Sequence, residues 1–248
     1  MSITWVRLYG ELNDFLPVQK RKREFTVSLP HGATVKALIE QAGVPHTEVD
    51  LVLVNGESVT FSRRLAPGDR VSVYPVFESF NMKTVSRVRP EPLRITRFLP
   101  DVHLGKLAKT LRMLGFDTRY DNHMDDESIA RLAHIESRII LTRDRELLKR
   151  KIVTHGYLVR SKNPDRQLVE VLERFDLFES INPFSRCLEC NIPLVPVPKA
   201  DVQGAVPAVV YAEYHSFSRC AYCRRIFWPG SHWEKMRQRI KALTRRKE

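Results

Sequence analysis

The sequence is poor in cysteine and has no long apolar run. No stretch approaches the roughly 18 consecutive apolar residues of a membrane-spanning helix, which excludes a helical membrane protein. No N-terminal signal segment is visible, so a soluble cytoplasmic protein is expected and disulfides are disfavoured. The charge balance is uneven, because basic residues exceed acidic ones in one part of the chain only. Residues 1–80 hold nine Lys/Arg and nine Asp/Glu, so the whole formal net charge of +12 falls on residues 81–248. Such an excess fits a polyanionic partner, RNA or DNA, because phosphates attract Lys and Arg whatever the base sequence. A merely basic soluble surface is the alternative. At 248 residues and 43% hydrophobic content, the chain can build one large domain or two to three small ones.

The four cysteines form two knuckles, Cys187-Leu188-Glu189-Cys190 and Cys220-Ala221-Tyr222-Cys223, separated by 29 residues. Each Cys-x-x-Cys brings two thiolates close together, and two such pairs supply the four soft ligands of a closed structural zinc site. Paired disulfides or metal-free thiols are the alternatives. Basic and aromatic residues surround the second knuckle (Arg219, Tyr222, Arg224, Arg225, Phe227, Trp228) and suit a nucleic-acid contact. Trp228 and Trp233 can stack bases or pack onto the ribbon, and Pro229-Gly230 between them favours packing. The basic tail from Lys235 to Lys247 has helical spacing.

At the N-terminus, residues 3–9 and 24–29 alternate as strands. Thr34 and Gly43 bracket a short amphipathic helix, and strands follow at 49–54 and 70–74, with Asn55-Gly56 as a hairpin turn. This order reads as an α+β β-grasp domain of ubiquitin type over residues 1–80. Asn55-Gly56, Arg64-Leu65-Ala66-Pro67-Gly68-Asp69-Arg70-Val71 and Tyr74-Pro75 resemble the small sulfur-carrier proteins. Those end in a free Gly-Gly, whereas this chain reads Phe77-Glu78-Ser79-Phe80 and continues, so a binding or scaffolding module with a protein partner is expected. Pro90, Pro92 and the charges from Lys83 to Arg94 mark a linker, placed at 81–92.

From residue 93 strands and helices alternate: strands at 93–99, 116–120, 138–142 and 156–160, helices at 103–114, 125–135, 145–151 and 164–175. Such βα alternation implies a parallel sheet covered by helices, here residues 93–180, with 181–248 as ribbon and tail. Ligands collect outside the carboxyl ends of such strands. Asp101, Asp121 and Asp144 fall there, and Asp125 and Asp126 start a helix expected at the same edge. Clustered carboxylates suit Mg²⁺ or Mn²⁺, which can activate water and stabilise charge on a phosphodiester. Helix-start and turn roles are the competing reading for Asp121, Asp125 and Asp126. Lys106, Lys109 and Arg112 lie on the first helix of this region and offer phosphate contacts or a solvated face. Arg143 offers a phosphate contact or an ion pair.

Phe98-Leu99-Pro100-Asp101, Leu104-Gly105-Lys106-Leu107-Ala108, Leu111-Arg112-x-Leu114-Gly115, Asp125-Asp126-Glu127 and Leu141-Thr142-Arg143-Asp144 resemble the Mut-seven C-terminal RNase family of PIN-like nucleases. The resemblance continues through the ribbon to Arg225-Ile226-Phe227-Trp228-Pro229-Gly230-Ser231-His232-Trp233, and the β-grasp unit resembles the ubiquitin-like domain joined to this RNase domain in bacterial proteins. The small residue usual before the first aspartate is Pro100 here. The resemblance implies a β-grasp domain, an α/β PIN-like parallel-sheet domain and a C-terminal zinc ribbon. It also implies RNA hydrolysis with Mg²⁺ or Mn²⁺ on Asp101, Asp144 and Asp126 or Asp125, with Asp121 a further catalytic candidate. A non-catalytic RNA-binding or ribosome-associated adaptor is the other reading. The oligomeric state is not legible.

Overall fold

A computed structural model describes residues 2–75, 87–88 and 96–244. The expected linker 81–92, residues 77–80, the start of the strand expected from Leu93 and the end of the basic tail fall mostly outside them. Two compact units emerge, Met1–Ile95 with Met124–Leu158, and Thr96–His123 with Val159–Glu248. Compactness thus groups the chain differently from chain order.

In the first unit, β1 (Ser2–Leu8) pairs antiparallel with β2 (Phe25–Leu29) and parallel with β5 (Arg70–Pro75). Strand β3 (Val49–Val54) pairs antiparallel with β5 and with β4 (Glu57–Ser58), giving the order β2-β1-β5-β3-β4. This is the expected β-grasp arrangement. Helix α1 (Val35–Gln41) buries Val35, Leu38 and Ile39, and the Thr34 hydroxyl caps it by accepting the Ala37 N–H at 3.3 Å. Each fully buried aliphatic side chain of this kind contributes about 1.5–3 kcal/mol. Asn55 and Gly56 turn β3 into β4 with φ of 52° and 90°, which a β-branched residue would resist.

The same unit contains α3 (Asp126–Glu136), β8 (Ile139–Thr142), α4 (Arg145–Lys149) and β9 (Gly156–Leu158). β8 and β9 run parallel and every residue of both is buried, as the apolar run Ile139-Ile140-Leu141 anticipates. The short 3₁₀ turn His46–Glu48 meets this segment. His46 Nε2 bonds the Val153 carbonyl at 2.8 Å and Nδ1 bonds Glu40 Oε1 at 2.9 Å, while the Arg145 guanidinium lies 5.3 Å from the centre of the Phe15 ring.

In the second unit, β6 (Arg97–Pro100) and β7 (Asp117–Thr118) run parallel. Helix α2 (Gly105–Met113) and its flanks bury Leu104, Leu107, Ala108, Leu111 and Leu114, the stripe its sequence spacing predicts. The fully buried Phe98 meets the rings of Phe116 and Phe175 edge-on at 6.3 and 5.5 Å. Gly115, at φ 95°, ends α2 where a Cβ would come within 2.2 Å of the Asn182 carbonyl oxygen, so only glycine fits. Helix α5 (Pro164–Arg174) opens with Asn163, whose Oδ1 accepts the N–H groups of Asp165 and Arg166. Beyond it, β10 (Leu194–Val197), β11 (Phe217–Cys220) and β12 (Ile226–Phe227) form an antiparallel sheet. The segment between β10 and β11, including α6 (Ala208–Glu213), packs Val202 and Val206 with Phe217 of β11 into a small core, against which Trp228 packs. Helix α7 (Ser231–Thr244) follows, where the basic tail has its helical spacing. Among the described residues no helix is long and apolar enough to cross a membrane.

Candidate functional site

Asp101 and Asp144 are built alike. Each is the residue next to the carboxyl end of a parallel strand or the first one beyond its end loop, and each caps the helix that follows. Asp101, beyond β6 and only 4% exposed, accepts the His103 N–H on Oδ1 at 2.8 Å. Asp144, exposed beyond β8, accepts the Glu146 N–H on Oδ1 at 2.8 Å, and its own N–H donates to the Thr142 hydroxyl at 2.9 Å. Both carboxylates are therefore oriented by backbone amides rather than by long flexible partners.

In the second unit, Asp121 joins Asp101 around Tyr120. Asp121 is exposed and accepts the His123 N–H at 2.9 Å. The Tyr120 hydroxyl donates to the Val102 carbonyl at 2.9 Å, which places the phenol against the first turn of α2. Burial raises the Tyr120 hydroxyl above its ordinary range, and the charges of Asp101 and Asp121 add to that shift. Gly105 makes the approach possible, since a Cβ there would stand 2.6 Å from the phenolic oxygen.

In the first unit, Asp125 caps α3 by accepting the Ser128 N–H at 2.7 Å, and that bond holds its carboxyl below the ordinary range. Asp126, the first residue of α3, pairs with Arg150 at 3.9 Å. Asp101 and Asp121 thus belong to one unit and Asp125, Asp126 and Asp144 to the other. All five carry a local hydrogen bond or ion pair. The helix-start role weighed for Asp125 and Asp126 and the turn role weighed for Asp121 are present.

Lys106 and Lys109 are exposed on α2, and Lys109 pairs with Glu189 at 3.7 Å. Arg143 is exposed beside Asp144. Arg112 corrects its expected place on the phosphate-binding face. It is 7% exposed and saturates three backbone carbonyls, Nε on Thr118 at 2.7 Å and Nη1 on Leu188 and Glu189 at 2.9 and 2.8 Å. Burial lowers its pKa, while Glu189 and the neighbouring cysteines oppose the shift. Arg112 therefore ties α2 to the first knuckle. Its position one turn after Ala108, on the buried stripe, was the available sequence signal. Tyr120 was missed for lack of any motif around it.

The four cysteines come together with all their Sγ atoms within 4.8 Å of one another. Among the described residues, this is the group of three or more His, Cys, Asp or Glu side chains arranged so closely. No disulfide joins them, and Cys187 Sγ lies 3.8 Å from Cys223 Sγ. Tetrahedral zinc with Zn–S bonds of about 2.3 Å sets its thiolates about 3.8 Å apart, so the cluster fits zinc.

The two knuckles repeat one bonding scheme. Asn191 N–H reaches the Cys187 carbonyl and Arg224 N–H the Cys220 carbonyl, both at 3.0 Å, while Cys187 N–H bonds Ile192 O and Cys220 N–H bonds Arg225 O. Asn191 and Arg224 both take left-handed backbone angles, φ 62° and 61°. This turn aims amides at sulfur: those of Cys190 and Glu189 at Cys187, and that of Arg225 at Cys223. The Arg225 amide brings the Cys223 thiol down to about 7, whereas burial and the other thiols push Cys190 up to about 12. A metal holding all four as thiolates removes that conflict.

Residues 96–240 match the family model described as the Mut7-C RNAse domain, and residues 1–81 match the one described as Mut7-C ubiquitin. Among solved structures, the chain is similar to small archaeal modifier protein 1 of H. volcanii, at 21% identity and a TM-score of 0.26 over 31% of this chain and 100% of that one. It is likewise similar to a putative molybdopterin converting factor, subunit 1, from Pyrococcus furiosus, at 24% identity and a TM-score of 0.26 over 31% of this chain and 100% of that one. No curated protein matches the chain significantly.

Proposed function

This chain belongs to the Mut7-C RNAse domain family, and from that premise we propose that it is a PIN-like, metal-dependent ribonuclease that hydrolyses RNA phosphodiesters in the cytoplasm. The observation that carries the reading is the matched construction of Asp101 and Asp144. Two carboxylates at the ends of parallel strands, each fixed by an amide at 2.8 Å, are preorganised oxygen ligands. Asp126 completes the proposed Mg²⁺ or Mn²⁺ ligand set, with Asp125 and Asp121 nearby in sequence as further acids for the reaction. A cation held there supplies charge neutralisation at the phosphodiester and a more acidic water.

The protein's own residues do the rest. The backbone amides of His103 and Glu146 keep one oxygen of each carboxylate from rotating away. Lys106 and Lys109, exposed on the helix that Asp101 precedes, hold RNA phosphates, and Arg143 does so beside Asp144. The ribbon, kept rigid by zinc on Cys187, Cys190, Cys220 and Cys223, extends the RNA contact. The β-grasp module, residues 1–80, takes a protein partner. Residues 81–92 link it to the nuclease part at 93–180, and ribbon and tail occupy 181–248.

Every acid also has a structural job, which favours the second reading, an RNA-binding or ribosome-associated adaptor. Incubation of the purified protein with mixed cellular RNA separates the two. The nuclease reading expects fragments with Mg²⁺ or Mn²⁺ and intact RNA with EDTA. Intact RNA in all three conditions, at protein concentrations that bind it, supports the adaptor.

A further inference from the structure

A groove of about 440 Å³ runs between the zinc ribbon and α7 in the second unit, lined by Phe184, Phe227, Trp228, Trp233 and Met236 with Arg186. All six are only partly buried. Trp233 rests on Phe184 with ring centres 4.9 Å apart, and the Arg237 guanidinium lies 5.6 Å from the Trp233 ring centre. Glu234 holds that guanidinium in place through two bonds of 3.0 Å. Arg237 also lines a second cavity of about 420 Å³ with Ile240 and Lys241, so concave surface continues along α7.

The surroundings decide the occupant. Across residues 186–244, which carry the ribbon and α7, the sequence has nine Lys/Arg and four Asp/Glu. A second copy docked by the same face would set this positive charge against itself, and an apolar peptide would gain nothing from it. Single-stranded nucleic acid uses both features: phosphates draw on the cations while unpaired bases stack on aromatic rings, whatever their identity. We propose that this groove is a nucleobase-stacking subsite that grips an unpaired base of single-stranded RNA beside the ribbon. The subsite rests on the reading of RNA as substrate and gives it a preference for single strands over duplex, whose bases are already stacked.

The test is fluorescence anisotropy with full-length, zinc-containing protein carrying Asp144→Asn to prevent cleavage. Two labelled probes of equal length are compared, oligouridylate and an abasic strand with the same number of phosphates. The base-bearing strand should bind roughly ten-fold more tightly, within the range one stacked base contributes. Trp233→Ala should remove most of that difference and leave abasic binding and its salt dependence unchanged. Phe227→Leu, which keeps apolar volume but loses the ring, should weaken oligouridylate alone; it decides the matter if Trp233→Ala loses zinc. Equal binding of the two probes by the parent protein would overturn the subsite. So would a parallel loss of both in the variants, or a concentration-dependent dimer that Trp233→Ala abolishes. Wild-type cleavage with Mn²⁺, scored separately, keeps the claims apart: cleavage without base preference sinks the groove alone, and base preference without cleavage sinks the nuclease reading alone.

Discussion

Glu48 Oε1 accepts the backbone N–H of Leu158 at 2.6 Å, a bond between residues 110 apart in sequence. Both residues are buried, Glu48 at 1% exposure and Leu158 at 7%, so no water replaces the carboxylate once it is gone. The bond joins the turn before β3 to the end of β9. Glu48→Ala should lower unfolding stability by about 1–3 kcal/mol, the cost of a buried unpaired amide, and Glu48→Gln should recover part of it. Urea denaturation measures both. An unchanged midpoint in Glu48→Ala would mean the bond contributes nothing.

Gly105 and Tyr120 form a second dependent pair. A Cβ at residue 105 meets the phenolic oxygen at 2.6 Å, so Gly105→Ala must displace Tyr120 from Val102 and from its place beside Asp101 and Asp121. The expected loss is about 1–3 kcal/mol by overpacking. Tyr120→Phe removes the hydroxyl, so the double variant should be less destabilised than the sum of the two single ones. Additive losses in a double-mutant cycle would show that the two sites do not interact.

Arg112→Ala should strip three carbonyls of their donor at once and destabilise the chain by about 2–3 kcal/mol. Two of those carbonyls sit inside the first knuckle, so zinc should leave this variant faster when a chelator is added. Arg112→Lys, whose ammonium lacks the planar fork, should rescue little. Elemental analysis should find one zinc per chain in wild-type protein and loss of it in Cys223→Ser. Zinc retention in Arg112→Ala equal to wild type would break the proposed link between α2 and the ribbon.

Local signals are legible in the sequence, and contacts between residues far apart in it are not. Helices α1, α3 and α5 were readable because their signals are local: Thr34, Asp125 and Asn163 cap them, and apolar residues recur with helical period. The strand ends before Asp101 and Asp144 were readable because an apolar run precedes each. Metal spacing made the cysteine cluster readable as well. Arg112 was misplaced because arginine ordinarily stays at the surface, and its Leu188 and Glu189 partners lie 76 and 77 residues away. Glu48 escaped notice for the same reason. β7, two residues long against an expected strand over 116–120, is too short to carry a period. The segment with α6 between β10 and β11 bears no metal-ligand or catalytic spacing.

Asp144 is proposed to serve chemistry and not merely to cap α4. Asparagine caps helices about as well as aspartate but offers no negative charge to a cation, so Asp144→Asn separates the two roles. The decisive measurement is the single-turnover cleavage rate of RNA by wild-type and Asp144→Asn protein with Mn²⁺, at concentrations where anisotropy shows equal RNA binding. The rate should be at least about 100-fold lower in the variant, with unfolding stability nearly unchanged. Equal rates in the two proteins would contradict a chemical role for Asp144.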